Sequence, residues 1–211
     1  MATELKFDEL NKLGYRGYFG KMLISPTQMR RRIGLAEEIE DVIFFLFEYY
    51  VIYDGAETEL PELKADAKER LTSVVEKRMK VDPYIESHID SVVDDIVDAT
   101  KRHSDTDTDT DTADGYWTST ERAMTISANE ANAFENYNDY RNAKANGKTR
   151  KRWITELDDK VRFTHTLVEG ETVDIDGLFL VGSSEMRFPK DDMYDPAPEE
   201  VINCRCAVEY I

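Results

Sequence analysis

A run of alternating aspartate and threonine, SDTDTDTDTAD at residues 104–114, most constrains how this chain folds. It holds five aspartates and no apolar residue before Ala113, so it has nothing to contribute to a hydrophobic core. It also lacks the glycine and the bidentate glutamate that a calcium-binding loop needs. We therefore predict an acidic linker over residues 104–118, between a first region at 1–103 and a second region at 119–211.

Helical spacing of apolar residues dominates the first region. Ser25-Pro26 is a favourable helix start, because proline is well accommodated at the first helical position. Apolar residues follow at helical spacing from Ile39 to Tyr50, from Leu60 to Val75 and from Ile85 to Ile96. These patterns predict three helices and a mainly helical region over residues 1–103.

The second region begins with a long helix and changes character after it. Ser119 or Thr120 caps a helix that we predict over residues 119–146, and a small α+β part follows at residues 152–211. In that part we expect a helix from the capping-box-like Thr155 and irregular chain over Phe179–Asp195. We expect strands at Trp153-Ile154, Thr172–Ile175 and Val201–Tyr210. The predicted fold class is therefore α+β.

The charge of the chain is strongly acidic and unevenly distributed. The net charge is −17, which argues against a protein that coats nucleic acid and is typical of proteins that stay soluble in high salt. One segment is basic, however, and contains no acid. It supplies candidate DNA contacts at Arg141, Lys144, Lys148, Arg150, Lys151 and Arg152, and Arg30, Arg31 and Arg32 form a second basic group.

The most apolar run is Val42–Tyr53. At roughly 12 residues, including Glu48, it is shorter than the ~20 residues of a membrane span, so we expect no membrane partner and no membrane location. A helix that is apolar on nearly all sides is buried on several sides, either in the core or against another protein. The candidate protein contacts are Phe44, Phe45, Phe47, Tyr49 and Tyr50.

The two cysteines of the chain are Cys204 and Cys206, so a disulfide framework is excluded. Alternation along the predicted strand places both thiols on one face, where a mutual disulfide is unfavourable but a shared metal ion is within reach. His165 is the natural third ligand, and Asp158 or Asp159 would complete a tetrahedral zinc site. The alternative interpretation is that the cysteines are small core residues and that His165 bonds to a neighbour.

The same region resembles a known family. Trp153, Thr155, Asp159, Val161, Arg162, His165, Gly170, Phe179, Asn203, Cys204, Arg205 and Cys206 occur in the order found in the C-terminal domain of phage Mu F-like minor head proteins, the phage head morphogenesis family. The resemblance covers roughly residues 119–211. Some relatives carry further cysteines in a zinc-like pattern. This chain keeps His165, Cys204 and Cys206 but has Arg162 where such a relative has cysteine.

The resemblance implies a non-enzymatic, structural minor capsid protein of a tailed virus. The acidic composition separately suggests a source in a salt-rich environment. Its expected partners are the portal protein, the major capsid protein or both, with packaged DNA as a further candidate. Its expected location is the head interior or portal vertex of the virion, and the host cytoplasm during assembly. The alternative is a nuclease- or transferase-like enzyme, or a zinc-dependent nucleic-acid-binding domain, centred on His165, Cys204 and Cys206.

Overall fold

The computed structural model describes residues 13–52, 57–104 and 116–211. Most of the predicted acidic linker, residues 105–115, lies outside the described residues, so the division of the chain at 104–118 stays a prediction. By internal contacts the chain forms two compact units. One unit comprises Gly34–Glu130, and the other combines the described residues up to Ile33 with Ala131–Ile211.

Helices make up most of the described chain, as the apolar spacing predicts. The long helices are α2 (Pro26–Ile52), α3 (Leu60–Glu76), α4 (Pro83–Ser104) and α5 (Thr120–Ala145), and helical residues 13–19 form α1. Two short helices, α6 (Phe163–Leu167) and α7 (Pro198–Val201), lie nearer the C-terminus. The predicted start at Pro26 is confirmed, and the helix predicted over residues 119–146 is observed as α5, with Ser119 accepting a hydrogen bond from the backbone N–H of Arg122. The described part of the chain contains no helix with both the length and the apolarity needed to cross a membrane.

In the unit Gly34–Glu130, the apolar half of α2 is largely buried. Phe47 and Tyr50 are buried, while Phe44, Phe45 and Tyr49 are half-buried. The guanidinium of Arg70 lies 4.0 Å from the centre of the Phe45 ring and covers it. Within this unit the apolar half of α2 therefore packs in the core. A contact of its aromatic residues with another protein stays a prediction.

The other unit contains all the strands that the structure describes. Strands β1 (Arg150–Ile154), β2 (Thr172–Asp174) and β5 (Ala207–Tyr210) form an antiparallel sheet in the order β2-β1-β5. Strands β3 (Phe179–Val181) and β4 (Ser184–Met186) form a separate hairpin. The predicted α+β fold class, a helical N-terminal region followed by a small α+β part, is confirmed.

A compact apolar cluster holds this small α+β part together. Trp153 of β1 is fully buried, and its ring meets that of Phe179 edge-on at a centroid distance of 5.1 Å. The buried members of the cluster are Trp153, Val168, Phe179, Val181, Met186, Cys204 and Cys206. Burying side chains of this size contributes about 1.5–3 kcal/mol each, so the cluster is a main source of stability for this part.

Three local predictions in the small α+β part are wrong. The helix begins at Phe163 rather than near Thr155, because Leu157 has a φ of +56° and breaks the helical path. The closing strand covers only Ala207–Tyr210, since α7 and a turn at Asn203 (φ +55°) precede it. The segment predicted to be irregular contains the β3–β4 hairpin.

Candidate metal centre

His165, Cys204 and Cys206 converge in the small α+β part. The Nδ1 atom of His165 lies 3.2 Å from the Sγ atom of Cys206 and 3.6 Å from that of Cys204. The three ligand atoms all lie within 4.8 Å of one another, and all three side chains are buried. Zinc binds nitrogen at about 2.0 Å and sulfur at about 2.3 Å, so small side-chain adjustments would place an ion among them. The cluster could therefore hold a metal ion.

The two cysteines reach this cluster by a turn and not by alternation along a strand. Ile202 is 51% exposed, whereas Asn203 to Ala207 are all buried, a pattern that no half-buried strand gives. Asparagine tolerates the left-handed conformation at position 203 better than most residues. The amide of Asn132, on α5, donates a hydrogen bond of 3.2 Å to the carbonyl of Cys204 and fixes the turn.

A carboxylate that the sequence analysis missed orients the histidine. His165 Nε2 lies 2.9 Å from Glu200 Oε2, and the hydroxyl of Thr164 donates to the same oxygen at 2.8 Å. With the proton on Nε2, the lone pair of Nδ1 faces the two thiols, which is the arrangement that metal-binding histidines commonly show. No signal in the sequence distinguishes Glu200 from the neighbouring Glu199.

Glu200 is itself held tightly against the hairpin. Gly182, with a φ of +62°, lies in the two-residue turn between β3 and β4, and a Cβ atom there would be 2.5 Å from Glu200 Oε1. Glycine therefore allows both the turn and the close approach of the carboxylate. The hairpin, α6 and α7 together position the His165–Glu200 pair.

The cluster favours the thiolate form of Cys204. Hydrogen bonding from Cys206 holds the pKa of Cys204 well below its usual value, against the effect of burial, and His165 acts in the same direction. Burial lowers the pKa of His165, but the hydrogen bond with Cys204 and the charges of Cys204 and Glu200 together outweigh burial, and the pKa is raised. Because the thiolate is the metal ligand, the lowered pKa of Cys204 suits metal binding, whereas His165 must lose its second proton to act as a ligand.

Neither predicted aspartate ligand reaches the cluster. Asp158 accepts a hydrogen bond from Arg205 at 2.9 Å, and Asp159 is exposed. Both residues belong to the turn that replaces the predicted helix, so the helical spacing that would have aligned them with His165 is absent. Among the described residues, only His165, Cys204 and Cys206 form a group that could hold a metal ion.

A small cavity of about 10 Å³ adjoins the cluster. Its lining combines the cluster with Glu156, Lys160, Val161, Arg162 and Arg205. Arg205 pairs with Glu156 at 2.6 Å as well as with Asp158, and Arg162 donates a hydrogen bond to the carbonyl of Ile202. Arg162 thus holds the turn that carries the cysteines.

The residues that carry the family resemblance mostly surround this centre. The Trp153 ring meets the His165 ring edge-on at a centroid distance of 5.8 Å. Thr155, two residues after Trp153, and Asn203, directly before Cys204, are both buried. Gly170, with a φ of +74°, donates its backbone N–H to the carbonyl of Trp153. Asp159 and Gly170 are exposed.

The basic residues predicted to contact DNA do not form one surface. Lys151 is fully buried and donates to the carbonyl of Ile175 at 2.7 Å, and Arg32 is buried too, so neither offers a phosphate contact. Lys144 pairs with Asp176 and Arg152 with Glu209, while Arg141 lies against the Tyr137 ring. Lys148 and Arg150 are exposed, and for them a DNA contact stays a prediction.

Comparisons with protein-family models, with curated proteins and with solved structures find no match. The functional interpretation therefore rests on the residues of this chain, on the geometry of the centre and on the resemblance in sequence.

Proposed function

We propose that this chain is a minor head protein of a tailed virus, and that zinc at His165, Cys204 and Cys206 stabilises its small α+β part. The observation that carries the proposal is the convergence of the resemblance residues on one buried centre. Trp153, Phe179 and both cysteines share one apolar cluster, and His165 packs against Trp153 and bonds to the cysteines. The residues that carry the family resemblance thus pack together in one place, around the apolar cluster and His165.

The burial of the ligands supports a stabilising role for the metal. His165 is 1% exposed, and both cysteines belong to the core of the small α+β part. Strands of three to five residues give this part little sheet area, and a metal ion adds folding free energy where a small core cannot supply enough. An ion at this centre would join α6 to the turn before β5, which are about 40 residues apart in the sequence.

The partners follow from the resemblance and from the charge. We propose that the portal protein or the major capsid protein is the main partner, with the protein in the head interior or at the portal vertex. The net charge of −17 disfavours extensive DNA binding. A local DNA contact at Lys148 and Arg150, which are both exposed, is compatible with that charge.

The zinc proposal is tested by metal analysis of the purified full chain. We expect about one zinc ion per chain, and we expect a strong chelator to lower the thermal midpoint. A Cys206→Ser variant should lose the zinc, whereas a control Ser183→Ala variant in the hairpin turn should keep it. A native protein without zinc, with a midpoint that added zinc leaves unchanged, would contradict the proposal.

The assignment as a minor head protein is tested on purified virions by mass spectrometry. The chain should be present at low copy relative to the major capsid protein and should copurify with the portal. Its absence from virions would refute the assignment. A His165→Ala variant that still assembles into heads but loses a measurable nuclease or transferase turnover would favour the enzyme alternative instead.

A further inference from the structure

We infer that the metal centre has an exchangeable fourth ligand, a water molecule or a small anion that enters past Lys160 and Arg162. This inference rests on the metal site proposed above and adds a property to it. A zinc ion has four ligands in most protein sites, and a site with three protein ligands keeps its fourth position for water or another small ligand. The described residues supply three.

The carboxylates nearest to the centre are committed elsewhere. Glu200 receives hydrogen bonds from His165 and Thr164, so it acts on the outer side of the imidazole and away from the thiols. Glu156 and Asp158 both pair with Arg205, and Asp159 is exposed. No carboxylate among the described residues joins the three ligand atoms.

The space for a fourth ligand is the cavity beside the cluster. All three ligand residues line it, and its volume of about 10 Å³ is at the lower limit for a cavity that holds one water molecule. Its outer lining comes from the segment before α6, where Lys160, Val161 and Arg162 are half-buried. A single small ligand therefore fits between the ion and the solvent.

The charge of the lining selects the kind of ligand. Two thiolates neutralise a divalent ion, so the ion with its cysteines carries no net charge to attract an anion. Lys160 and Arg162 supply positive charge at the entrance, and they favour anions over neutral molecules of the same size. The expected ligands are thus water, hydroxide and small monovalent anions such as azide.

The experiment uses the full chain loaded with Co²⁺, whose visible absorption bands report the ligands of the ion. We expect one Co²⁺ per chain and a spectrum that changes saturably when azide is added. A stoichiometric Co²⁺ complex that does not respond to azide would overturn the open fourth position and leave the metal site intact. A chain that binds no Co²⁺ and no Zn²⁺ would overturn the metal site itself, and the inference with it.

Two variants make the test specific to the cavity. Lys160→Gln should weaken azide binding by about two- to five-fold without changing the azide-free spectrum, because the lysine acts through its charge and not as a ligand. Asp159→Asn should leave both the azide-free spectrum and the azide affinity unchanged. A changed azide-free spectrum in Asp159→Asn would mean that this carboxylate occupies the fourth position, and it would overturn the inference.

Discussion

At the scale of single residues, the candidate metal centre depends on a carboxylate that is not a ligand. Glu200 bonds to Nε2 of His165 and leaves Nδ1 for the thiols. Replacement of such an outer carboxylate typically costs about 10–100-fold in metal affinity. Glutamine in its place would still accept the hydrogen bond but would lose the negative charge that increases the basicity of the imidazole.

We therefore expect Glu200→Gln to weaken zinc binding by about tenfold, measured by competition with a chromophoric chelator. Glu199→Gln is the matched control, because Glu199 is the exposed neighbour on the same short helix. Equal zinc affinities for the two variants would show that Glu200 does not orient the ligand.

Lys151 makes a second residue-scale prediction, about stability and pH. Burial lowers its pKa to about 8, although its ammonium donates to the Ile175 carbonyl and lies over the Tyr140 and Phe179 rings. In the unfolded chain the pKa of a lysine is about 10.4, so between pH 8 and 10.4 the unfolded state binds more protons than the folded state. Stability from this residue therefore rises with pH in that window.

The measurement compares urea unfolding of the wild type with Lys151→Met at pH 7.5 and pH 10.5. We expect the wild type to gain about 3 kcal/mol relative to the variant over this range, because the cost of burying the charge disappears as the amine deprotonates. Lys148→Met, at an exposed position nearby, should show no such gain. A difference between wild type and Lys151→Met that stays constant with pH would refute the assigned pKa.

At the scale of elements, a buried arginine joins the start of α2 to the later half of α5. Arg32 is 1% exposed and donates to the side-chain oxygens of Asn132, Asn136 and Asp139 at 2.9, 2.7 and 3.2 Å. The spacing of these three acceptors along α5 puts them on one face of the helix. The contact between α2 and α5 at this point is therefore polar. The spacing of apolar residues in the sequence does not predict it.

We expect Arg32→Leu to lower the free energy of unfolding by about 3 kcal/mol, since it leaves the buried amide oxygens of Asn132 and Asn136 without this donor and removes one cation from beside Asp139. This loss is at the lower end of the roughly 3–5 kcal/mol that breaking a buried ion pair costs, because Arg31 still pairs with Asp139. Urea unfolding measures it, with Arg30→Leu as the control, because Arg30 is exposed and bonds only locally to Thr27. Similar losses in both variants would contradict a specific role for Arg32.

The sequence predicted the elements whose pattern is local and missed those that distant contacts decide. Helices α3 and α4 follow from apolar residues at helical spacing, and Pro26 marks the start of α2. The turn at Asn203 depends on Asn132 of α5, which holds the carbonyl of Cys204 from 72 positions away. The local sequence at residues 201–206 does not reveal that contact. Its alternating pattern therefore predicts a strand where the structure has a turn.

The candidate site shows the same division. His165, Cys204 and Cys206 were recognisable by residue type and by the family resemblance, and their convergence agrees with that prediction. The exclusion of Asp158 depends on Arg205, and the role of Glu200 depends on how α7 packs against α6 and the hairpin. Tertiary pairing decides both, and the sequence indicates neither.

At the scale of the whole molecule, the acidic excess should govern how stability depends on salt. The chain has 44 acidic and 27 basic residues, so its surface is self-repelling at neutral pH. Salt also weakens attractive pairs such as Lys64–Asp98 and Lys68–Asp90 between α3 and α4, but exposed pairs of this kind contribute only about 0–1 kcal/mol each. Repulsion among the unmatched acids should outweigh them.

We therefore expect the thermal midpoint to rise by roughly 2–8 °C between 0.01 M and 1 M potassium chloride, because the screening length falls from about 30 Å to about 3 Å. A variant with Glu37→Gln, Asp41→Asn and Glu48→Gln changes three exposed acids of α2 and reduces the net charge from −17 to −14. It should melt at a higher temperature than the wild type in low salt and gain less from added salt. If both proteins gained equally, or if salt lowered the midpoint, self-repulsion would not be the dominant effect. The acidic surface would then act through specific pairs and not through its total charge.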